Sequence, residues 1–184
     1  MTELSLNILD ICQNSIKAEC SEVRIIINED IKNDILYMDI IDDGYGMDKE
    51  FLKKVEDPFT TTRTTRKVGM GIPLLKMECE MADGCFKIDS EKNVGTEIHC
   101  SFQYSNIDRP PLGDICDTIL CLIRLNPQID FFYSHIYDGE KFDFSTKEVR
   151  EILGDVPLDT DEVLQFIKNY LDENIKNLYG GKTK

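Results

Sequence analysis

Basic residues are scarce in this chain. Of its 184 residues, Lys and Arg supply 21 against 35 Asp and Glu, for a net charge of −14. So acidic a surface repels phosphate backbones and anionic lipid, which argues against nucleic acid and membrane surfaces as partners. Long apolar runs are also missing; 119–123 is far too short to span a bilayer. The opening Met1-Thr-Glu-Leu-Ser5 has neither a basic n-region nor an apolar h-region, so no secretory signal is expected. The seven cysteines form no Cys-x-x-Cys pair, and most sit at apolar positions. They read as reduced thiols in a cytoplasmic setting. Histidine is nearly absent, with only His99 and His135. No internal repeat occurs; the nearest approach is Thr60-Thr-Thr-Arg-Thr-Thr-Arg-Lys67. What remains, 41% hydrophobic and 30% charged residues, describes a globular chain with material for one core, or one domain with an appendage.

Ser105-Asn-Ile-Asp-Arg-Pro-Pro-Leu-Gly113 interrupts any regular element and divides the chain into residues 1–104 and 105–184. In the first part a helix is expected over 3–19, from Ile8, Leu9, Ile11, Cys12 and Ile16 at helical spacing. Strands follow at 23–28 and 35–41, where Leu36, Met38 and Ile40 share a face that Asp42 continues. A short charged helix is expected at 48–55 and a loop over 57–71. A helix over 72–81 then has Pro73 in its first turn, and strands follow at 85–90 and 96–103. These alternations predict an α/β two-layer sandwich, a mixed sheet with helices on one face. The second part reads as a small α+β extension of helix, hairpin and two helices, a candidate for docking a partner. Asp138-Gly139 marks the hairpin turn. Ser145-x-x-Glu148 and Asp159-x-x-Glu162 are read as caps, and Val163, Phe166, Ile167, Tyr170, Leu171 and Leu178 as the inward face of the last helix.

Four constellations can carry chemistry. Glu3, Asn7, Asp10, Asn14 and Lys17 step by four and three along one face of the first helix. By spacing alone this is a solvated stripe, but an acid, an amide and an amine in register can also order a water, a divalent cation and a phosphate. Asp42-x-Gly-x-Gly46 places a carboxylate at the end of an apolar strand. Such a group needs a donor, which the exocyclic amine of a base supplies; alone, the motif also fits an ordinary hairpin turn. Gly69-x-Gly71 precedes a helix, where free backbone amides favour an anion, and Arg63, Arg66 and Lys67 lie just upstream. A lone Gly-x-Gly fits a plain loop as well. Gly95-Thr96 alone is only a turn.

In this order the four resemble the GHKL superfamily of ATP-binding domains, with its Bergerat fold, over residues 3–103. The N box resembles Asp10-Ile-Cys-Gln-Asn14-Ser-Ile-Lys17, the G1 box Asp42-Asp-Gly-Tyr-Gly46-Met47, and the G2 box Gly69-Met70-Gly71-Ile72 onward. Lys17, three after Asn14, and Asp57-Pro-Phe59 most resemble the histidine-kinase ATPase branch. The resemblance implies ATP and Mg²⁺ as cofactors. It implies Asn14 as the Mg²⁺ ligand between phosphates, Lys17 near the phosphates and Asp42 as acceptor of the adenine amino group. It places Gly44, Gly46, Met47, Gly69, Met70, Gly71 and Ile72 in the pocket and lid hinge, the basic residues Arg63, Arg66 and Lys67 in the lid, and Thr96 near adenine. Asp10 falls where hydrolysing and serine-phosphorylating members carry a catalytic glutamate, and is one methylene shorter.

A histidine kinase also needs an acceptor histidine on a dimerisation helix. His99 is expected on the outer face of its strand and His135 in the hairpin, both as surface residues, and no helical hairpin fits before residue 3. Any acceptor is therefore expected from a partner. The expectation is an Mg·ATP-binding protein that passes the γ-phosphoryl to a protein in trans. An ATP-gated switch with slow hydrolysis, or a nucleotide-binding scaffold without turnover, fits the same motifs. A homodimer is compatible with this reading.

Overall fold

The computed structural model describes residues 3–55 and 71–180. Element boundaries follow the apolar periodicity closely. Helix α1 (Leu4–Lys17) buries Leu4, Ile8, Ile11, Cys12 and Ser15, a stripe at helical spacing. Strands β1 (Glu22–Asp30) and β2 (Ile35–Asp42) pair antiparallel. Helices α2 (Lys49–Val55) and α3 (Gly71–Met81) follow, then the antiparallel pair β3 (Phe86–Glu91) and β4 (Gly95–Gln103). Beyond residue 104 come α4 (Ile115–Leu125), β5 (Asp130–Tyr137), β6 (Glu140–Ser145), α5 (Thr146–Leu153) and α6 (Asp161–Leu178). The expected helix, hairpin and two helices are therefore present.

The six strands make one mixed sheet in the order β3-β4-β2-β1-β5-β6. Every neighbouring pair is antiparallel except β1 and β5, which run parallel. Strand residues alternate. Val23, Ile25 and Ile27, Leu36, Met38 and Ile40, Ile98, Cys100 and Phe102, and Phe131 and Tyr133 point into one core. Helix α1 lies over β1 and β2, α3 over β3 and β4, and α6 over β5 and β6, with α4 wedged between α1 and α6. The other face carries Arg24, Tyr37, Asp39, Lys87 and His99, half-buried or exposed.

The 105–113 stretch does not separate two sheets, because the hairpin after it extends the first sheet beside β1. The stretch also completes the start of α1. Leu4 and Ser5 donate their amides to the carbonyls of Pro111 and Leu112 at 2.9 Å, two first-turn donors that have no partner within the helix.

Three local expectations are corrected. Phe166 and Tyr170 are 63% and 43% exposed, while Val163, Leu164, Ile167 and Leu171 are buried. The buried stripe follows the 163, 167, 171 row, which leaves 166 and 170 on the flank of the helix. Neither cap expected from Ser145 or Asp159 forms a side-chain bond to helix amides, and the residue preceding α6 is Thr160. Side-chain caps do form at α2, where Asp48 accepts from the Phe51 amide at 2.8 Å, and at α4, where Asp114 accepts from the Asp117 amide at 2.8 Å. His135, expected at the surface, is 1% exposed. Its side chain shares the inward face of β5 with Phe131 and Tyr133, so the sheet covers it. Its Nε2 lies 2.9 Å from Glu29 Oε1, and Tyr133 Oη lies 2.6 Å from its Nδ1. Tyr179, just after α6, donates to the same Glu29 oxygen. Every protonatable atom of the buried imidazole and the carboxylate oxygen facing it are thereby engaged.

Candidate functional site

Asp42 is the last residue of β2, between Val23 of β1 and Thr96 of β4. It is half-buried. Its Oδ2 accepts the Ser15 hydroxyl at 2.5 Å and its Oδ1 the Gly44 amide at 3.0 Å. The neighbouring Asp43 has a different task. Its Oδ1 accepts the Ser21 and Glu22 amides at 2.7 and 2.9 Å, and its Oδ2 the Ser21 hydroxyl. Burial works to raise its carboxyl, but the Ser21 hydroxyl and these amides outweigh it and hold the group below the ordinary range. Asp43 thus ties the loop after β2 to the start of β1, and Asp42 is the carboxylate left at the strand end.

The backbone around Asp42 is close-packed. Gly95 has φ +139°, and a Cβ there would lie 2.0 Å from the Asp42 carbonyl oxygen. Gly46 has φ +61°, and a Cβ there would lie 2.0 Å from the Glu91 carbonyl oxygen. Only glycine meets both demands. The loop is pinned further by bonds from the Tyr45 amide to the Ala18 carbonyl (2.9 Å) and from the Asn93 amide to the Tyr45 carbonyl (2.7 Å). Ser90 Oγ accepts the Met47 amide at 2.8 Å and lies 2.9 Å from Thr96 Oγ1, and it also donates to the Gly95 carbonyl. Thr96, Ser90 and Met47 therefore form one polar edge beside Asp42.

Helix α1 brings the second group of residues. Ser15 is buried against Asp42, and Asn14 beside it is half-buried. Asp10, one turn earlier, is exposed. A Cβ on Gly71 would sit 3.4 Å from the Asp10 Cβ and 3.7 Å from its Oδ2, so the N-terminus of α3 abuts Asp10. Asn7 is 8% exposed and donates to Glu78 of α3, which fastens the two helices. It belongs to packing and is not free for a ligand. Lys17 is exposed in the last turn of α1. Ile72 is 5% exposed and sits in the core, so among the G2-like residues it is a packing residue that anchors α3. Arg63, Arg66, Lys67, Gly69 and Met70, together with Asp57-Pro58-Phe59, lie outside the described residues.

Two residues escape motif reading, Ser15 and Ser90. The signal was present in both cases. Ser15 is a hydroxyl at a position of the apolar stripe 8, 11, 12, 15, and Ser90 ends the inward alternation Phe86, Ile88. A polar group at a core position needs a partner, and both find it at the Asp42 edge. The charge there is also felt by a neighbour. Burial first, then Asp42 and Asp43, push the Cys20 thiol up to about 12.

Helix α1, the strand-end carboxylate and the glycine loop lie within the stretch that comparison assigns to a family. The family described as histidine kinase-, DNA gyrase B- and HSP90-like ATPase matches residues 2–106, and the chain belongs to it, carrying an ATP-binding domain of the histidine-kinase-like type. Sensor protein RprX of Bacteroides fragilis is 31% identical over 105 residues, 53% of this chain and 20% of that protein. The non-motile and phage-resistance protein of Caulobacter vibrioides is 27% identical over 111 residues, 55% of this chain and 13% of its own length. The chain thus corresponds to a fifth or less of these relatives. Among solved structures, the N-terminal domain of a DNA repair protein shares the fold at TM-score 0.54 and 16% identity, covering 84% of this chain and 58% of that one. That coverage exceeds the family match, so the shared fold continues past residue 106. Among the described residues no helix is long and apolar enough to cross a membrane.

Proposed function

We propose that the protein binds Mg·ATP at this site and transfers the γ-phosphoryl to a protein partner in trans. The observation that carries the reading is the Ser15–Asp42 bond. It joins the helix bearing Asp10 and Asn14 to the strand end bearing Asp42, so the two groups serve one ligand and not two. In this reading Asp42 accepts a hydrogen bond from the exocyclic amino group of adenine. Ser15 and the Gly44 amide hold its carboxylate in place, and Thr96 lines the same edge. The phosphates run toward Asn14, Lys17 and the N-terminus of α3, where the helix dipole favours anions. The basic residues Arg63, Arg66 and Lys67 add charge from the lid.

The donor set fits a hard divalent cation. Asn14 offers a neutral oxygen with no bond to another described side chain, and the Asp10 carboxylate stands one turn away on the same helix. Bound there with the phosphates, Mg²⁺ would supply neutralisation of developing charge. The residues of the chain do the rest. Asn14 and Lys17 orient the triphosphate, and Asp10 orients the acceptor group and takes its proton. The bond from the γ-phosphorus to the acceptor forms as the β–γ bridge breaks, and ADP leaves. Neither histidine serves as the acceptor in this reading: His135 is enclosed by Glu29 and two tyrosines, and His99 lies within bonding reach of Asp39 (2.9 Å) and 3.4 Å from Glu97.

Incubation with γ-labelled ATP and a host extract tests this. Label on a protein, lost with Asp10→Asn, is the expected result. Free phosphate alone would make the protein an ATPase switch, and neither product would leave a scaffold.

A further inference from the structure

One row of side chains crosses three strands at the site. Ser90 of β3 pairs with Thr96 of β4, and Thr96 pairs with Asp42 of β2. Thr96 therefore stands between a serine and a carboxylate. Among the described residues its hydroxyl lies within bonding distance of Ser90 Oγ alone, at 2.9 Å. The direction of that bond follows from counting protons. A serine hydroxyl carries one hydrogen and two lone pairs. Three groups surround Ser90 Oγ: the Met47 amide at 2.8 Å, which can only donate, the Gly95 carbonyl at 2.9 Å, which can only accept, and the Thr96 hydroxyl, which can do either. One arrangement satisfies all three. The Ser90 hydrogen goes to the Gly95 carbonyl, one lone pair takes the Met47 amide, and the other takes the Thr96 hydrogen. The opposite sense would withdraw the Ser90 hydrogen from the carbonyl of buried Gly95. Thr96 has then spent its only hydrogen, and what it presents on its Asp42 side is an oxygen lone pair. Donors close by are spent too: the Ser15 hydroxyl and the Gly44 amide on Asp42, and the Tyr45 amide on the Ala18 carbonyl.

We infer that Ser90 is a positioning residue for base selection. By fixing the Thr96 hydroxyl as an acceptor, it makes Thr96 and Asp42 a pair that takes hydrogens from the ligand and gives none. The inference rests on the ATP reading above and adds a second determinant of the base to Asp42. A purine with an amino group at C6 supplies hydrogens to the pair. A purine with a carbonyl there, as in guanine or hypoxanthine, sets an oxygen against two oxygens. A Thr96 hydroxyl able to turn would relieve that clash by donating; one held by Ser90 does not. Rejection of the wrong base is thus built from a fixed hydroxyl as well as from a charge.

Titration of the full chain with the triphosphates of adenosine and inosine, which carry an amine and a carbonyl at C6, tests this. Thr96→Val keeps the side-chain shape and leaves Ser90 in place. Its affinity for ATP should fall about fivefold, the worth of one hydrogen bond, while its affinity for ITP does not fall. A turning hydroxyl would serve both bases, so equal losses would overturn the inference. Ser90→Ala releases the Thr96 hydrogen. The preference for ATP over ITP should drop at least about threefold, with ITP bound no more weakly than by wild type. Damage to the loop alone would weaken both nucleotides together, and that result, or an unchanged preference, overturns the role of Ser90. Melting curves verify that the variants fold, and Thr96→Val decides the matter where Ser90→Ala does not. Wild type that binds ATP without preferring it to ITP overturns the inference and leaves ATP binding standing. Wild type that binds neither removes the ATP reading, and the inference with it.

Discussion

Gly95→Ala puts the close packing at Asp42 to a quantitative test. The new Cβ would lie 2.0 Å from the Asp42 carbonyl oxygen, 2.9 Å from the Asp42 carbonyl carbon and 3.1 Å from the Asp43 Cα. All three atoms are backbone, so no side chain can swing aside. To restore even a 3.0 Å contact, β2 and β4 must part by about 1 Å at the Asp42–Thr96 pair. Overpacking of this kind costs about 2 kcal/mol, and alanine at φ +139° about 2 kcal/mol more. At about 2–4 °C per kcal/mol for a chain of this size, the melting temperature should fall by about 8–16 °C. ATP binding should weaken as well if Asp42 meets adenine as proposed, because the displaced atoms include the Asp42 carbonyl. Gly139→Ala is the control. It has φ +93° and nothing within 4 Å of the added Cβ, so it carries strain without collision and should leave ATP affinity unchanged. The pair is read by calorimetry and by titration with ATP. If Gly95→Ala melts within about 2 °C of Gly139→Ala and binds ATP as wild type does, the close contact at Asp42 plays no part in the site.

Asn14→Ala should leave the melting temperature without ligand within about 2 °C of wild type and remove the Mg²⁺-dependent part of the ATP-induced shift; equal shifts would remove Asn14 from the metal site. Asp42→Asn should reduce the preference for ATP over GTP in a binding titration, because the amide can present a donor where an acceptor is needed; an unchanged preference would count against adenine contact. Tyr179→Phe strips a donor from the 1%-exposed Glu29 and should cost about 2 kcal/mol, with ATP affinity unaltered. Its network lies about 20 Å along β1 from the residue paired with Asp42, so a parallel loss of ATP binding would contradict the separation of the two. Alkaline melts give a fifth test. Burial, reinforced for Cys20 by Asp42 and Asp43 and for Cys116 by Asp172, pushes both thiols from 9.0 up to about 12. A raised folded-state value favours the native state fully below pH 9, and that contribution is lost as pH climbs from 9 to 12. Stability should fall across that window and fall less in Cys20→Ala. A flat profile for the wild type would show the thiols to be solvated.

Elements in this chain could be read from local pattern because their causes are local. The apolar stripe of α1, the alternation of β2 and the Asp138-Gly139 turn each depend on residues a few positions apart. The carboxylate at the end of β2 and the glycines after it were legible for the same reason. Period alone says which face of an element is apolar. It does not say what covers that face, and this is how Phe166 and Tyr170 came to be expected inside.

The amino-acid order by itself determined the family and the residues that crowd one end of the sheet, since those signals are short motifs whose spacing follows from helix and strand geometry. Only the tertiary structure decided that β5 lies parallel to β1 across about a hundred residues of chain, a pairing no local pattern encodes. From that pairing come the burial of His135 beside Glu29 and the free edge at β6. Folding likewise divided two adjacent aspartates: Asp43, just past the end of β2, binds the Ser21 and Glu22 amides, while Asp42, on the inward face of the strand, meets Ser15 across the helix–sheet interface.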